Sequence, residues 1–247
     1  MKLKLTYLYP DLCGLYGDRG NIMAIGRICD ALGIELEIMR VENPDDEIDF
    51  AGSDIIFLSP GELSVFPPII EALNKNREKL DEYIDSGKYI FAVGTAACIF
   101  ADKVSRVSRP SYEGLGIGHF ECKEREMIYG DDIIYSCTPT DVTREVAGCQ
   151  VQTMDIIPKF DAEPFGKIIY GYGNNHSKNE GIRYKNLIIT NALGPVVVKN
   201  PWIFADIIED ITGKKGEKAD IAALDFSLEE QSFAAVKEFN LTKKTNL

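Results

Sequence analysis

Histidine is scarce. The 247 residues contain two, His119 and His176, so chemistry that needs a histidine base must use one of these or do without. A basic excess is missing as well: 27 Lys+Arg stand against 39 Asp+Glu, a net charge of −12. Without surplus cations there is no counterion release to drive binding to a phosphate backbone, so nucleic acid is not an expected partner. Six cysteines (Cys13, Cys29, Cys98, Cys122, Cys137 and Cys149) include no Cys-x-x-Cys pair, which excludes the usual zinc cluster and the thioredoxin-type dithiol. No metal or cofactor motif is present. The opening Met1–Asp11 has too short an apolar run for a secretory signal. The longest uncharged runs, 89–101 and 186–198, fall well short of the roughly 20 residues of a membrane span. These absences point to a soluble, cytoplasmic protein with reduced thiols and no membrane partner.

What is present is the composition of a globular protein, 45% hydrophobic and 27% charged. The first hundred residues alternate strand and helix signals. Lys2–Leu8 reads as a strand, and Asn21–Leu32 as a helix with Ile25, Ile28, Cys29 and Leu32 on one face. Ile34–Ile38 alternates as a half-buried strand near an edge, and Asp54–Leu58 is a strand buried on both faces. A helix is expected over Pro67–Ser86, then another buried strand over Lys88–Val93. This order predicts an α/β fold with a mostly parallel sheet between helices. Leu115–Cys137 reads as two strands around a hairpin signal at Gly130-Asp131. Further strands are expected at Ala147–Ile156, Lys167–Tyr172 and Leu187–Thr190. Asn200-Pro201 reads as an N-cap and first-turn proline before Trp202–Ile211. Ser227-Leu228-Glu229-Glu230 reads as a capping box for the last helix. No repeat or linker stands out, so one domain is expected over residues 1–242, with 243–247 a frayed tail.

The segment Tyr89–Cys98 runs a buried strand straight into small residues and a helix. That is the outline of a nucleophile elbow, where a strained turn presents one side chain above backbone N–H groups. The apex residue is Gly94, which supplies no nucleophile.

Leu8-Tyr9-Pro10-Asp11-Leu12 and Leu15-Tyr16-Gly17-Asp18-Arg19-Gly20-Asn21-Ile22 resemble the start of class I glutamine amidotransferases of the cobyric-acid-synthase type. More narrowly they resemble the GatD-type subunits of lipid II isoglutaminyl synthase. Gly171-Tyr172-Gly173-Asn174-Asn175, 181–186, Gly194-Pro195, Lys199-Asn200-Pro201 and 224–229 extend the likeness over nearly the whole chain. The resemblance implies a flavodoxin-like, class I amidotransferase-like fold. It also implies a Cys–His pair that cleaves glutamine and a synthase partner that receives the ammonia.

Aligned by those motifs, the nucleophile position is Gly94 and the base position is Leu193. Gln152 and Phe233 stand at two further positions where the relatives carry histidine, and Met127 stands where they carry a basic residue, with Arg125 nearby. In the oxyanion-side loop 58–62, Pro60 has no N–H to donate. Losing one member of a nucleophile–base pair costs about 10⁴–10⁶ in rate. Three readings follow. The first is a catalytically degenerate homologue that scaffolds or regulates a Mur-ligase-like or other ATP-dependent synthase. The second is an active amidotransferase whose nucleophile has moved to Cys98. The third is a protein that binds a small molecule, an amino acid or amide, in the vacated pocket, lined by Gly61, Glu62, Thr95 and Gln152. Asp18, Arg19 and Asn21 are the candidate partner-facing or loop-capping residues. His119 and His176 read as a structural and a solvated loop histidine, and Cys13 as incidental.

Overall fold

The computed structural model describes residues 1–159 and 162–245. In chain order the elements are β1 (Lys2–Leu8), α1 (Arg19–Ala31), β2 (Glu35–Val41), β3 (Ile55–Leu58), α2 (Phe66–Lys75) and α3 (Arg77–Asp85). They continue with β4 (Tyr89–Val93), α4 (Ala97–Phe100), β5 (Lys103–Ser105), β6 (Tyr112–Glu113), β7 (Phe120–Cys137) and β8 (Arg144–Pro158). The chain closes with β9 (Gly166–Tyr170), β10 (Asn179–Glu180), β11 (Ile182–Tyr184), β12 (Leu187–Thr190), α5 (Val196–Lys199), α6 (Trp202–Lys214) and α7 (Ser227–Thr245).

The main sheet has the order β11-β12-β4-β3-β1-β2, parallel throughout except for β11. Strand β2 lies at its edge, as its half-polar alternation implies. The inner strands obey the period of two. Ile55 and Phe57, with Tyr89, Phe91 and Val93, enter one apolar cluster; Ile56 and Leu58, with Ile90 and Ala92, enter the other. The first cluster holds α1 and α6 against the sheet through Phe57, Phe91 and Phe204, whose rings stand 5.0–6.3 Å apart. The second packs α2 and α3 on the opposite face through Phe66, Ile70, Leu73, Leu80 and Tyr83. The architecture is the expected α/β fold.

A second sheet, β10-β9-β7-β5-β6 with β8 paired to β7, covers the end of the first. Its central hairpin corrects the turn expected at Gly130-Asp131. Strand β7 runs 18 residues through that dipeptide without reversing, and Gly130 sits in the ladder opposite Val151. The reversal falls at 138–143, where Pro139 cannot donate to a ladder. A register shift between Glu124 and Tyr129 absorbs the irregularity.

Three other local expectations are revised. The helix expected over 67–86 is two helices. Asn76 lies between them at φ −108°, and its side chain donates to the Ala72 carbonyl, a local bond that competes with helix continuation. Asp225, rather than Ser227, caps the last helix by accepting from the Ser227 N–H at 2.9 Å. That helix continues to Thr245, while 246–247 of the expected frayed tail lie outside the described residues.

The third revision concerns Asn200, whose side chain does not cap α6. It accepts from the Ala147 N–H at 2.9 Å and donates to the Ala147 and Val196 carbonyls, both at 2.8 Å. The side chain is fully buried, so it works as a peptide-like bridge between β8 and α5. Asn200→Ala would orphan two buried backbone groups, the Ala147 N–H and carbonyl, because the Val196 carbonyl keeps the Asn200 N–H at 3.0 Å. A loss of about 2 kcal/mol is expected, read as a lower urea midpoint at unchanged slope. An unmoved midpoint would show that the bridge contributes nothing.

Candidate functional site

Parallel strands deliver their C-terminal ends to one edge, and α/β sites gather there, at the point where strand order reverses. Here that point lies between β1 and β3. The loops after β1, β3, β4 and β12 meet at this edge and bring Asp18, Pro60, Gly61, Gly94, Thr95 and Leu193 together.

The elbow has kept its strain. Gly94 has φ +57°, the left-handed region that a side chain occupies only at a cost. A Cβ built on Gly94 would lie 2.9 Å from Leu193 Cδ2 and 3.4 Å from Pro60 Cβ. The two positions that the sequence likeness pairs as nucleophile and base therefore face each other at contact distance. Leu193 is held there by a backbone bridge to Cys149, with N–H to O distances of 2.8 and 3.1 Å.

The hydroxyl of Thr95, the residue after the apex, reaches back to the β3 loop. It accepts from the Gly61 N–H at 3.0 Å and donates to the Gly61 carbonyl at 2.7 Å. In an elbow site the oxyanion is held by the N–H of the residue after the nucleophile and by an N–H of that neighbouring loop. In this chain Pro60 has no N–H, and the Gly61 N–H is already bonded. The space left above the elbow is about 10 Å³, bounded by Tyr16, Pro60, Gly94, Thr95, Val151, Thr153, Met154, Asn191 and Leu193. That is room for about one water, and an amino acid or amide does not fit it.

The other expected site residues fall as follows. Thr95 borders the cavity; Gly61 is one hydrogen bond away; Glu62 is exposed on the loop. Gln152 does not line it. Val151, Thr153 and Met154 of β8 border the cavity, whereas the Gln152 amide is turned away to Gln150 and Asp155. Cys98 is also removed from the site. It is fully buried one turn beyond the elbow, in the apolar cluster that holds Cys122. A thiol in an apolar core is inert as a nucleophile.

Asp18 is fully buried at the N-terminus of α1, but its side chain makes no cap bond. It accepts from the Asn21 amide at 2.6 Å, and Asn21 in turn accepts from the Val197 N–H at 2.7 Å, tying α1 to α5. Burial pushes the Asp18 carboxyl up to about 7, opposed by the Ser59 hydroxyl and the Asn21 amide. Arg19 is exposed beside this tie. Cys13 is buried against the same loop, and burial pushes its thiol up to about 12. All six cysteines are free thiols.

The residues facing away from the elbow form a polar network that the sequence motifs did not signal. Gln150 donates to Gln152 at 2.5 Å and to the Tyr172 carbonyl at 2.6 Å, and Gln152 donates to Asp155 at 2.9 Å. Arg125 clamps both Asp155 oxygens at 2.9–3.0 Å and donates to the Tyr172 hydroxyl at 2.8 Å. His176, read as a solvated loop residue, stands 2.6 Å from that hydroxyl. His119 is exposed, with its ring edge-on to Tyr184. Among the described residues no group of three or more His, Cys, Asp or Glu could hold a metal ion, and no helix is long and apolar enough to cross a membrane.

No family model matches the chain. It is 27% identical over 217 residues to the lipid II isoglutaminyl synthase (glutamine-hydrolyzing) subunit GatD of Streptococcus pneumoniae, covering 87% of this chain and 82% of that protein. It is 29% identical over 218 residues to the GatD subunit of Staphylococcus aureus, covering 87% and 86%. Among solved structures, a glutamine amidotransferase aligns at TM-score 0.54 with 13% identity, covering 85% of this chain and 98% of that one. A glutamine amidotransferase from Thermotoga maritima aligns at 0.50 with 9% identity, covering 87% and 85%. These two share the fold.

Proposed function

Taking as premise that this chain is homologous to GatD, we propose that it is a subunit of an amide-forming synthase that has given up glutamine hydrolysis. In this reading it keeps the amidotransferase framework and contributes binding and positioning to an ATP-dependent, Mur-ligase-like partner. The observation that carries the reading is the state of the elbow. Strain is retained at Gly94, yet neither facing position can act as nucleophile or base, and Thr95 occupies the neighbouring loop's donor. The ordered tie Asp18–Asn21–Val197 beside the elbow supports a framework kept for contact rather than for chemistry.

The test is ammonia release from glutamine by the purified chain, alone and with a candidate synthase subunit, with Cys98→Ala as control. The expected result is background release in every case, together with a stable complex with the synthase subunit. Turnover that disappears in Cys98→Ala would sink the proposal in favour of a displaced nucleophile.

A further inference from the structure

A second cavity of about 470 Å³ opens beside the β7–β8 hairpin, lined by Ser105, Arg106, Val107, Lys123, Glu124, Arg125, Glu126, Met127, Asp155 and His176. It lies within the size range of small-molecule sites. Its charged groups are not all alike in what they still have to offer. Glu124 accepts from Arg106 Nε at 2.8 Å and from the Val107 N–H at 3.0 Å. Asp155 is clamped by Arg125 and Gln152. Both carboxylates act as internal counterions that fix the guanidinium groups in place.

The donors are less fully used. The Arg106 side chain is only 10% exposed, yet among the described residues only its Nε is bonded, which leaves the four N–H of its terminal nitrogens. Lys123 has no ion pair among the described residues. For Arg125, only Nε and one terminal nitrogen are bonded. Arginine cannot accept, so the Tyr172 hydroxyl takes the Arg125 bond, and the same oxygen stands 2.6 Å from His176 Nδ1. His176 Nε2 is the ring nitrogen left free of Tyr172, and as an N–H it can donate into the cleft. His176 is held this way by two successive left-handed residues, Asn175 at φ 45° and His176 at φ 64°. One lining carboxylate, Glu126, is exposed and without an ion pair among the described residues, and it opposes anion entry.

We propose that this cleft binds a phosphoryl-bearing small molecule, with Arg106, Lys123, Arg125 and His176 as donors. Unspent N–H groups from four side chains call for an acceptor-rich ligand. A tetrahedral phosphoryl group offers oxygens to donors arriving from several directions, which a planar carboxylate does not. The cleft is separate from the elbow cavity, so this inference stands or falls independently of the proposed loss of hydrolysis.

The probe is inorganic pyrophosphate, titrated calorimetrically into the full chain, with succinate as comparison. The expected result is saturable binding of pyrophosphate, tighter than that of succinate. Lys123→Gln, at an exposed side chain whose loss leaves the fold intact, should weaken it by about tenfold, one charge-assisted hydrogen bond. Arg106→Lys should weaken it similarly although the charge is kept, because the planar fork is lost. Glu126→Gln should tighten it. No saturable binding, binding indifferent to Lys123→Gln, or succinate binding as well as pyrophosphate would each overturn the proposal.

Discussion

A chain carrying Gly94→Cys and Leu193→His together is expected to release no more ammonia from glutamine than the unaltered chain. The two substitutions put back the residue types that the sequence likeness assigns to these positions, and Gly94 and Leu193 already face each other. They do not put back the rest of the site. The Gly61 N–H remains bonded to the Thr95 hydroxyl, and Pro60 still lacks a donor. One oxyanion donor is worth about 10²–10³ in rate. The cavity of about 10 Å³ is a further barrier, since histidine does not relieve the crowding leucine imposes. Turnover in the double variant should therefore lie at least about 10²–10³-fold below an intact nucleophile–base site, from the missing loop donor alone. Steady-state glutaminase assays of the wild type, the two single variants and the double variant decide it. Activity that appears only in the double variant would show that the Cys–His pair alone was missing, and that the Thr95 clasp is incidental.

The second large effect concerns stability against pH. Glu180 is fully buried, and burial pushes its carboxyl from the ordinary 4.5 up to about 8, with the Asn191 N–H and the Thr190 hydroxyl pulling the other way. It accepts from the Asn191 N–H at 2.5 Å and from Thr190 at 3.3 Å, while its second oxygen has no partner among the described residues. Tyr135 and Cys137 face it from β7 and offer no positive charge. A carboxyl raised in the folded state favours folding most fully below its unfolded pKa, and that contribution is lost as pH rises through the folded value. Stability should therefore fall between about pH 4.5 and 8 and then level off. Asp18 adds a similar decline ending near 7. Each contribution is on the order of a few kcal/mol. Glu180→Gln keeps the acceptor for Asn191 and has no proton to lose. Urea midpoints for this variant should equal or exceed the wild type at pH 8 and show a shallower decline across the window. Parallel curves for the two proteins would exclude Glu180 as the source.

The sequence made the main sheet legible because its strands obey simple periods. Buried runs such as Ile55–Leu58 and Tyr89–Val93 declare themselves by uninterrupted apolar character, and β2 by alternation. It was less informative where one residue has two uses. Gly130-Asp131 has the composition of a turn, but a glycine with no need for a left-handed conformation sits equally well in a long strand. Asn200 has the chemistry of an N-cap, and the same amide completes a backbone bridge. At the site, the apex glycine and Leu193 were readable by position. The Thr95 clasp and the Arg125–Asp155–Tyr172 network were not, because both depend on bonds between residues 30 or more apart in sequence. Alternation along β8 was the one available signal that Gln152 would face away from Val151 and Thr153.

The long hairpin has a consequence for how the molecule comes apart. Phe120 and Cys122 of β7, with Met154 and Ile156 of β8, belong to the apolar cluster on one side of the main sheet. Ile133, Tyr135 and Cys137 of β7, with Val146 of β8, belong to the cluster on the other. The same two strands are thus seams in both cores. Pulling the hairpin away opens both faces at once, whereas losing either face strips half the hairpin of its cover. The two clusters are therefore expected to melt as one cooperative unit, with coincident transitions from probes placed in either one.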